Sequence, residues 1–220
     1  VEEVIKADPE GVADGEYAMV YFDVLRFKAI NEMFGMEEGD RLLRYIAETV
    51  RRAVKKTDII CRVGSDRYIY FTHSKGEELE RQLDIFFTLL GQYDLLFEIT
   101  CNVGVYVTES TAVSVNTMMD RAILAQSTIK GSYTERYNFY TESLRFNLLG
   151  EQEIAGFMAE ALAEKQFVVY YQPQYDHSTG GLLGAEALVR WIHPDRGMIS
   201  PGVFIPIFEK NGFEVVPSVY

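Results

Sequence analysis

Cysteine is scarce in this chain: 220 residues contain two, Cys61 and Cys101. Both lie inside apolar, strand-like runs, so no disulfide framework is expected and a reducing compartment is the natural setting. Basic residues are also few. Lys and Arg number 21 against 33 Asp and Glu, giving a net charge of -12 and a pI near 4.8. Such a surface repels a phosphodiester backbone, which argues against nucleic acid as a partner but not against a small phosphorylated ligand in one local pocket. Long apolar runs are missing. The most apolar stretch, residues 85–97, is broken by Gly91, Gln92 and Asp94, and nothing approaches the ~18 residues of a membrane span. The N-terminus, Val1-Glu2-Glu3, has no basic charge, no apolar signal core and no initiating Met. The expectation is a cytoplasmic piece of a longer chain, with any membrane anchor or sensor lying upstream. Repeats and low-complexity tracts are absent too. What remains is 48% apolar and 25% charged, ordinary globular values.

Hydrophobic periodicity then gives the elements. Residues 17–23 have an apolar centre with polar ends and read as a buried strand. Phe27, Ile30 and Phe34 predict a helix over 26–34, ended by Gly35. Leu42, Leu43, Ile46, Ala47 and Val50 form one stripe of a helix over 37–54, with Arg41, Arg44, Glu48 and Arg51 facing water. Strands at 58–63 and 68–73 flank the turn Gly64-Ser65-Asp66-Arg67. A helix at 77–90, a strand within 95–107, a helix at 116–130 and a strand at 137–140 complete an α+β domain, residues 1–140. Residues 141–166 read as a linker helix. From 167 to 220 come two strands, 167–175 and 182–191, a Pro/Gly loop at 193–201 and a helix at 203–211.

Position marks several residues as chemical candidates. Asp23 ends the first strand, a common place for a magnesium ligand, and Asp66 sits in the hairpin turn. Spacing alone favours the plainer roles, Asp23 as a helix cap and Asp66 as a turn residue. Glu186, Leu188 and Arg190, at i, i+2 and i+4, share one strand face. That pattern fits a polar site, an internal ion pair or a solvent-facing edge.

The wording around these residues is more specific. Phe22-Asp23-Val24-Leu25-Arg26-Phe27-Lys28-Ala29-Ile30-Asn31, then Gly39-Asp40, then residues 58–68 with Gly64-Ser65-Asp66-Arg67-Tyr68, resemble in order the signatures of GGDEF domains, the diguanylate cyclase family. The resemblance covers about residues 15–140. It implies a nucleotide-cyclase palm sheet with packed helices, Asp23 and Asp66 as residual metal ligands for Mg-GTP, and Asn31 and Asp40 as guanine contacts. The departures lie at the catalytic positions. Ser65 adds a side chain where the family brings bare backbone against the nucleotide. Arg67 reverses an acidic residue, and Leu25 replaces the second aspartate of the opening. Ser127 and Gly131 stand where the family places phosphate-gripping cations, with Lys130 out of register. The family's product-inhibition motif reads Lys55-Lys56-Thr57-Asp58, and lysine lacks the arginine fork. Lys55 is therefore expected at a solvated helix end, and no cyclase activity is expected.

In the second part, residues 170–174, 179–180, 184–194 and 200–206 resemble the start of EAL domains, cyclic di-GMP phosphodiesterases on a TIM-barrel scaffold. The Glu186-Ala187-Leu188 triplet is intact. The resemblance implies Glu186 as a ligand of magnesium or manganese, Arg190 as a phosphate contact, and Gln172 and Leu188 as cyclic di-GMP contacts. A TIM barrel takes roughly 250 residues, so only its first strands are expected, an incomplete barrel without the full two-metal site. Together the resemblances imply a bacterial cyclic di-GMP signalling protein. In one reading its longer form is a homodimeric phosphodiesterase regulated by an inactive first domain, which either retains weak GTP binding or serves as a scaffold or dimer surface. In the other it is a non-enzymatic sensor of cyclic di-GMP or GTP acting through protein partners.

Overall fold

The computed structural model describes residues 1–96 and 98–212. Phe97, within the strand region expected at 95–107, and positions 213–220 of the expected second unit lie outside the described residues. The chain divides into two compact units, Val1–Arg145 and Phe146–Tyr220. No helix among the described residues is long and apolar enough to cross a membrane.

The first unit is built on β1 (Ala18–Val24), which is buried along its whole length. A strand covered on both faces reads as a continuous apolar run, and this one does. It is flanked by β3 (Arg67–Thr72) and β4 (Cys101–Val107), with β2 (Ile59–Arg62) and β5 (Tyr137–Phe139) at the edges, in the order β2-β3-β1-β4-β5. All pairings are antiparallel except β4 with β5. Side chains alternate across the sheet. Ala18, Val20, Phe22 and Val24 join the core formed with α3 (Phe27–Phe34), α4 (Met36–Ala53) and α5 (Gly76–Leu90). Met19 and Tyr21 join the opposite core, against α6 (Val115–Ile129).

Gly104 sets how closely α6 approaches the sheet. A Cβ there would lie 1.9 Å from the Ala122 carbonyl oxygen and 2.5 Å from the Gln126 nitrogen. Backbone groups cannot swing aside, so only glycine fits.

Three elements were not expected. α1 (Glu2–Ala7) and α2 (Pro9–Ala13) precede the first strand, too short for a helical period to register. Asp8 caps α2, accepting from the Gly11 amide at 3.1 Å. β8 (Gly197–Ile199) forms within the expected Pro/Gly loop, pairing with β7 (Leu182–His193).

The second unit holds an antiparallel sheet, β6-β7-β8, with β6 spanning Phe167–Tyr175. The described residues form no closed barrel. The link from β6 to β7 is too short for the crossover that parallel strands need. Asp176 ties this turn: its Oδ1 accepts from the Ser178 and Thr179 amides at 2.7 and 2.9 Å. Those bonds and one from the Ser178 hydroxyl, the largest influence, hold its carboxyl at about 2. The helix expected as a linker, α7 (Glu142–Ala163), packs within this unit over its last turns. Ile154, Met158 and Ala161 form a stripe buried with Trp191, Phe204 and Phe208, the last two from α8 (Pro201–Lys210).

Gly104→Ala is expected to cost about 1–3 kcal/mol or more by overpacking β4 against α6. Urea unfolding of the two forms measures it; equal midpoints would show that α6 can shift without cost.

Candidate functional site

Asp23 lies on β1, the central strand, and is 6% exposed. Its parity places the carboxylate on the α6 side with Met19 and Tyr21. Gln126 and Lys130, at i and i+4, share a face of α6 and its C-cap. The Gln126 Nε2 donates to Asp23 Oδ1 at 2.7 Å, and the Lys130 ammonium donates to Oδ2 at 2.9 Å. This ion pair shifts the Lys130 pKa upward, its hydrogen bond to Asp23 being the largest cause. Both oxygens of Asp23 therefore have protein donors. Lys130, which the sequence offered only as an out-of-register phosphate contact, neutralises the carboxylate itself.

Asp66 stands close to this pair. Asp23 is the register partner of Arg67, the next residue in the chain. The Cys101 thiol is pushed up chiefly by burial, with the charges of Asp23 and Asp66 adding. Asp66 itself accepts from the Ser65 hydroxyl at 2.8 Å. The two aspartates do approach one another, but the set does not fit a divalent ion as it stands. One carboxylate is held by an ammonium, Leu25 is in the position of a further acid, and the neighbouring Arg67 adds positive charge. That guanidinium folds over Gly64, where a Cβ would meet its Nε at 2.7 Å.

The positions expected to grip phosphate offer no cation. The Ser127 hydroxyl donates to the Leu124 carbonyl at 2.7 Å. Gly131 takes a positive φ of 88° as the chain leaves α6, its amide donating to Asn102 Oδ1 at 2.9 Å.

Asn31 and Asp40 are brought together by the packing of α3 on α4. Gly39, beside Asp40, has no side chain, and a Cβ there would lie 1.9 Å from Asn31 Oδ1. That oxygen is buried with no hydrogen-bond partner. A buried acceptor left unpaired costs about 1–3 kcal/mol. Asp40 is exposed at the start of α4.

Lys55 behaves differently from expectation, and one further polar cluster was not foreseen. Lys55 lies just past the end of α4, as expected, but is not free there: its ammonium pairs with Glu78 at 2.8 Å and donates to the His73 carbonyl at 2.5 Å, tying α5 to the end of β3. Asp8, Glu16 and His73 bring three ligand atoms within 4.8 Å of one another. The Lys75 ammonium lies 3.2 Å from Glu16, and Tyr17 donates to Asp8 at 2.9 Å. Those contacts make the cluster a polar clamp between the N-terminal segment and β3.

In the second unit, register gathers the expected residues. Gln172 pairs directly with Glu186, Tyr170 with Leu188, and Val168 with Arg190. Direct partners share a face, so Gln172, Glu186, Leu188 and Arg190 lie together on one side of the hairpin. Trp191 and Val189 point the other way, into the core of this unit. The Arg190 guanidinium lies 6.0 Å from the centre of the Tyr170 ring. On this face, between residues 168–174 and 184–190, Glu186 is the single carboxylate.

Residues 8–135 match the diguanylate cyclase GGDEF domain, and residues 158–215 match the EAL domain. The chain is 28% identical over 210 residues to the bifunctional diguanylate cyclase/cyclic di-GMP phosphodiesterase MucR of Pseudomonas aeruginosa, covering 92% of this chain and 30% of that protein. It is 26% identical over 203 residues to the cyclic di-GMP phosphodiesterase NbdA of the same organism, covering 89% of this chain and 26% of the relative. Less than a third of each relative's length is spanned. Among solved structures, an S helix-GGDEF-EAL fragment of Vibrio cholerae LapD bound to c-di-GMP aligns with a TM-score of 0.52 at 16% identity, covering 96% of this chain and 51% of that one. The GGDEF domain of DgcB from Caulobacter crescentus in complex with c-di-GMP aligns with a TM-score of 0.54 at 20% identity, covering 63% and 86%. At these identities the structural likeness speaks to fold alone. With the family match covering most of the first unit, and that unit's sheet carrying the signature residues in order, the chain belongs to the GGDEF family, followed by an EAL segment.

Proposed function

We propose that this chain is part of a bacterial cyclic di-GMP signalling protein in which a GGDEF domain without cyclase activity regulates an EAL phosphodiesterase domain. The observation that carries the first half is the Lys130 ammonium on Asp23, 2.9 Å away. Phosphoryl transfer is catalysed by positioning and by metal and cationic neutralisation of developing charge. Here the strand carboxylate is already neutralised from within, and neither Ser127 nor Gly131 supplies a cation to the phosphates. The unpartnered Asn31 Oδ1 beside Asp40 supports a retained guanine-nucleotide contact, an input rather than a substrate site. The second half rests on the intact Glu186 triplet with Gln172 and Arg190 on one face of the β6–β7 hairpin. In the complete EAL domain Glu186 would be one ligand of magnesium or manganese, which polarises the phosphodiester and activates water. Arg190 would steady the phosphate.

Incubation of the chain with GTP and magnesium is expected to yield no cyclic di-GMP above a blank. Lys130→Met, which frees Asp23, should raise manganese affinity without creating turnover. Product formation by the unmodified chain would sink the regulatory reading of the first domain.

GTP should bind at least tenfold more tightly than ATP, about 1.4 kcal/mol, because only guanine presents N–H donors to Asn31 and Asp40 together. Asn31→Ala should remove that preference. Calorimetry showing equal affinities, or none, would leave the first domain as a scaffold.

Glu186→Gln keeps shape but loses the charge that holds an ion. In the full-length protein it should abolish cyclic di-GMP hydrolysis while the melting temperature stays nearly constant, since Glu186 is exposed and outside the core. Arg190→Ala should weaken nucleotide binding more than metal binding. Hydrolysis at the unmodified rate in Glu186→Gln would make Glu186 a surface polar residue and favour the sensor reading.

A further inference from the structure

Arg26, Ala29, Ile30 and Met33, at i, i+3, i+4 and i+7, form one stripe at the start and along the length of α3. Together with Glu98 and Tyr133 they line a cavity of about 430 Å³. The Leu25 amide donates to the Thr100 carbonyl at 2.8 Å, which ties one wall to the other. Asn31 is two residues from Ala29 and two from Met33, about 200° around the helix from each, and lines no part of this cavity. Asp23, Asp40 and Lys130 also lie outside it. The volume is that of a small-molecule site.

Packing does not account for the groups around this cavity. Arg26 takes a left-handed backbone, φ 55° and ψ 32°, at the N-cap of α3, and its side chain makes no capping bond. A residue with a Cβ is strained in that shape, and such strain gathers at ligand clamps. The Arg26 guanidinium lies over the Tyr133 ring, 5.9 Å from its centre. Among the described residues it has no carboxylate partner, and the Glu98 carboxylate has no cationic one. Both side chains are exposed. The floor beside them is apolar: Ile30 is buried, while Met33 and Tyr133 stay 68% and 62% exposed, large surfaces that the core does not use.

One unpaired cation, one unpaired anion and an apolar floor narrow the class of ligand. A phosphate chain would meet Glu98 as a like charge. A wholly apolar molecule would take water from both charged groups and give them nothing in return. A zwitterion with an apolar body answers all three features. Its carboxylate can meet the Arg26 fork in bidentate fashion, its ammonium can meet Glu98, and its body can lie over Ala29 and Ile30. A flat ring adds contact with the Tyr133 ring and the Met33 sulfur. We propose that this cavity binds a free α-amino acid with an aromatic side chain, held at its two charged ends by Arg26 and Glu98. Asn31 and Asp40 take no part, so the site stands without the guanine contact proposed above.

The test is calorimetric titration of the chain at neutral pH with L-phenylalanine, beside phenethylamine, which lacks the carboxylate, and 3-phenylpropionate, which lacks the ammonium. Saturable one-to-one binding of the amino acid is expected, roughly tenfold or more tighter than either analogue, as the loss of one charged hydrogen-bonding end implies. Arg26→Gly removes the guanidinium and suits the left-handed turn. It should weaken amino-acid binding by a similar factor while the melting temperature stays nearly constant. Glu98→Gln should erase the preference over 3-phenylpropionate, and Asn31→Ala should leave amino-acid binding unchanged. Absence of saturable binding to the unmodified chain, equal affinity for the three compounds, or an unchanged binding pattern in either Arg26→Gly or Glu98→Gln overturns the inference. A loss in Asn31→Ala as large as that in Arg26→Gly also overturns it, by placing the ligand on the other face of α3.

Discussion

A carboxylate on the central strand of a sheet needs a counter-charge, and the first unit is organised around the one that Asp23 has. Burying an unpaired carboxylate costs several kcal/mol. Here an ammonium and an amide from α6 share the two oxygens. They reach because α6 lies tight on the sheet, and it lies tight because Gly104 has no side chain. The same closeness that packs the core thus places Lys130 on Asp23. Its pKa is raised in the folded state, so its contribution is fully present below the ordinary lysine value and is lost only as pH climbs through the raised one. At neutral pH the pair is intact, and a divalent ion arriving at Asp23 must displace a bound cation as well as shed its own water.

The two faces of the sheet therefore treat positive charge in opposite ways. On the α6 face, Lys130 meets Asp23, while Arg121 meets Glu142 at 3.1 Å and lies over the Tyr106 ring. Charge there is consumed within the fold. On the α4 face Arg44 and Arg51 are left open to solvent beside an apolar floor. A cyclase needs cations where the metal and phosphates meet, near Asp23. Arg44 and Arg51 lie on the sheet face away from Asp23, and the ammonium that reaches Asp23 is already paired with it.

Much of this was legible in the sequence. β1 and the stripe of α4 announce themselves by apolar spacing, and Gly64 to Arg67 by turn chemistry. The departures Leu25, Arg67, Ser127 and Gly131 sit in readable positions. The parts that were not legible are tertiary. Gln126 and Lys130 reach Asp23 across 103 and 107 residues, and no local period reports such a pairing. Their i, i+4 spacing was the available clue, but it looks the same on a solvated helix end. The partners of Lys55 were hidden in the same way, since Glu78 and His73 lie on other elements. α1, α2 and β8 are each shorter than the window over which periodicity accumulates.

The second unit separates stability from chemistry by strand parity. Asp176 fixes the turn, the turn fixes the register, and the register puts Glu186 beside Gln172. A slip of one residue would send Glu186 into the core and Trp191 into water. Trp191 prevents it: fully buried, it packs against Phe167, Phe204 and Phe208 and donates its indole N–H to Gln166 at 2.8 Å. Core and site therefore occupy opposite faces of the same strand. The apolar face holds the register, and the polar face inherits its geometry without contributing to the packing. Substitutions at Glu186 or Arg190 thus act on the chemistry of that face, whereas a change at Trp191 would act on both faces at once, since the alignment of Glu186 with Gln172 depends on the register it maintains.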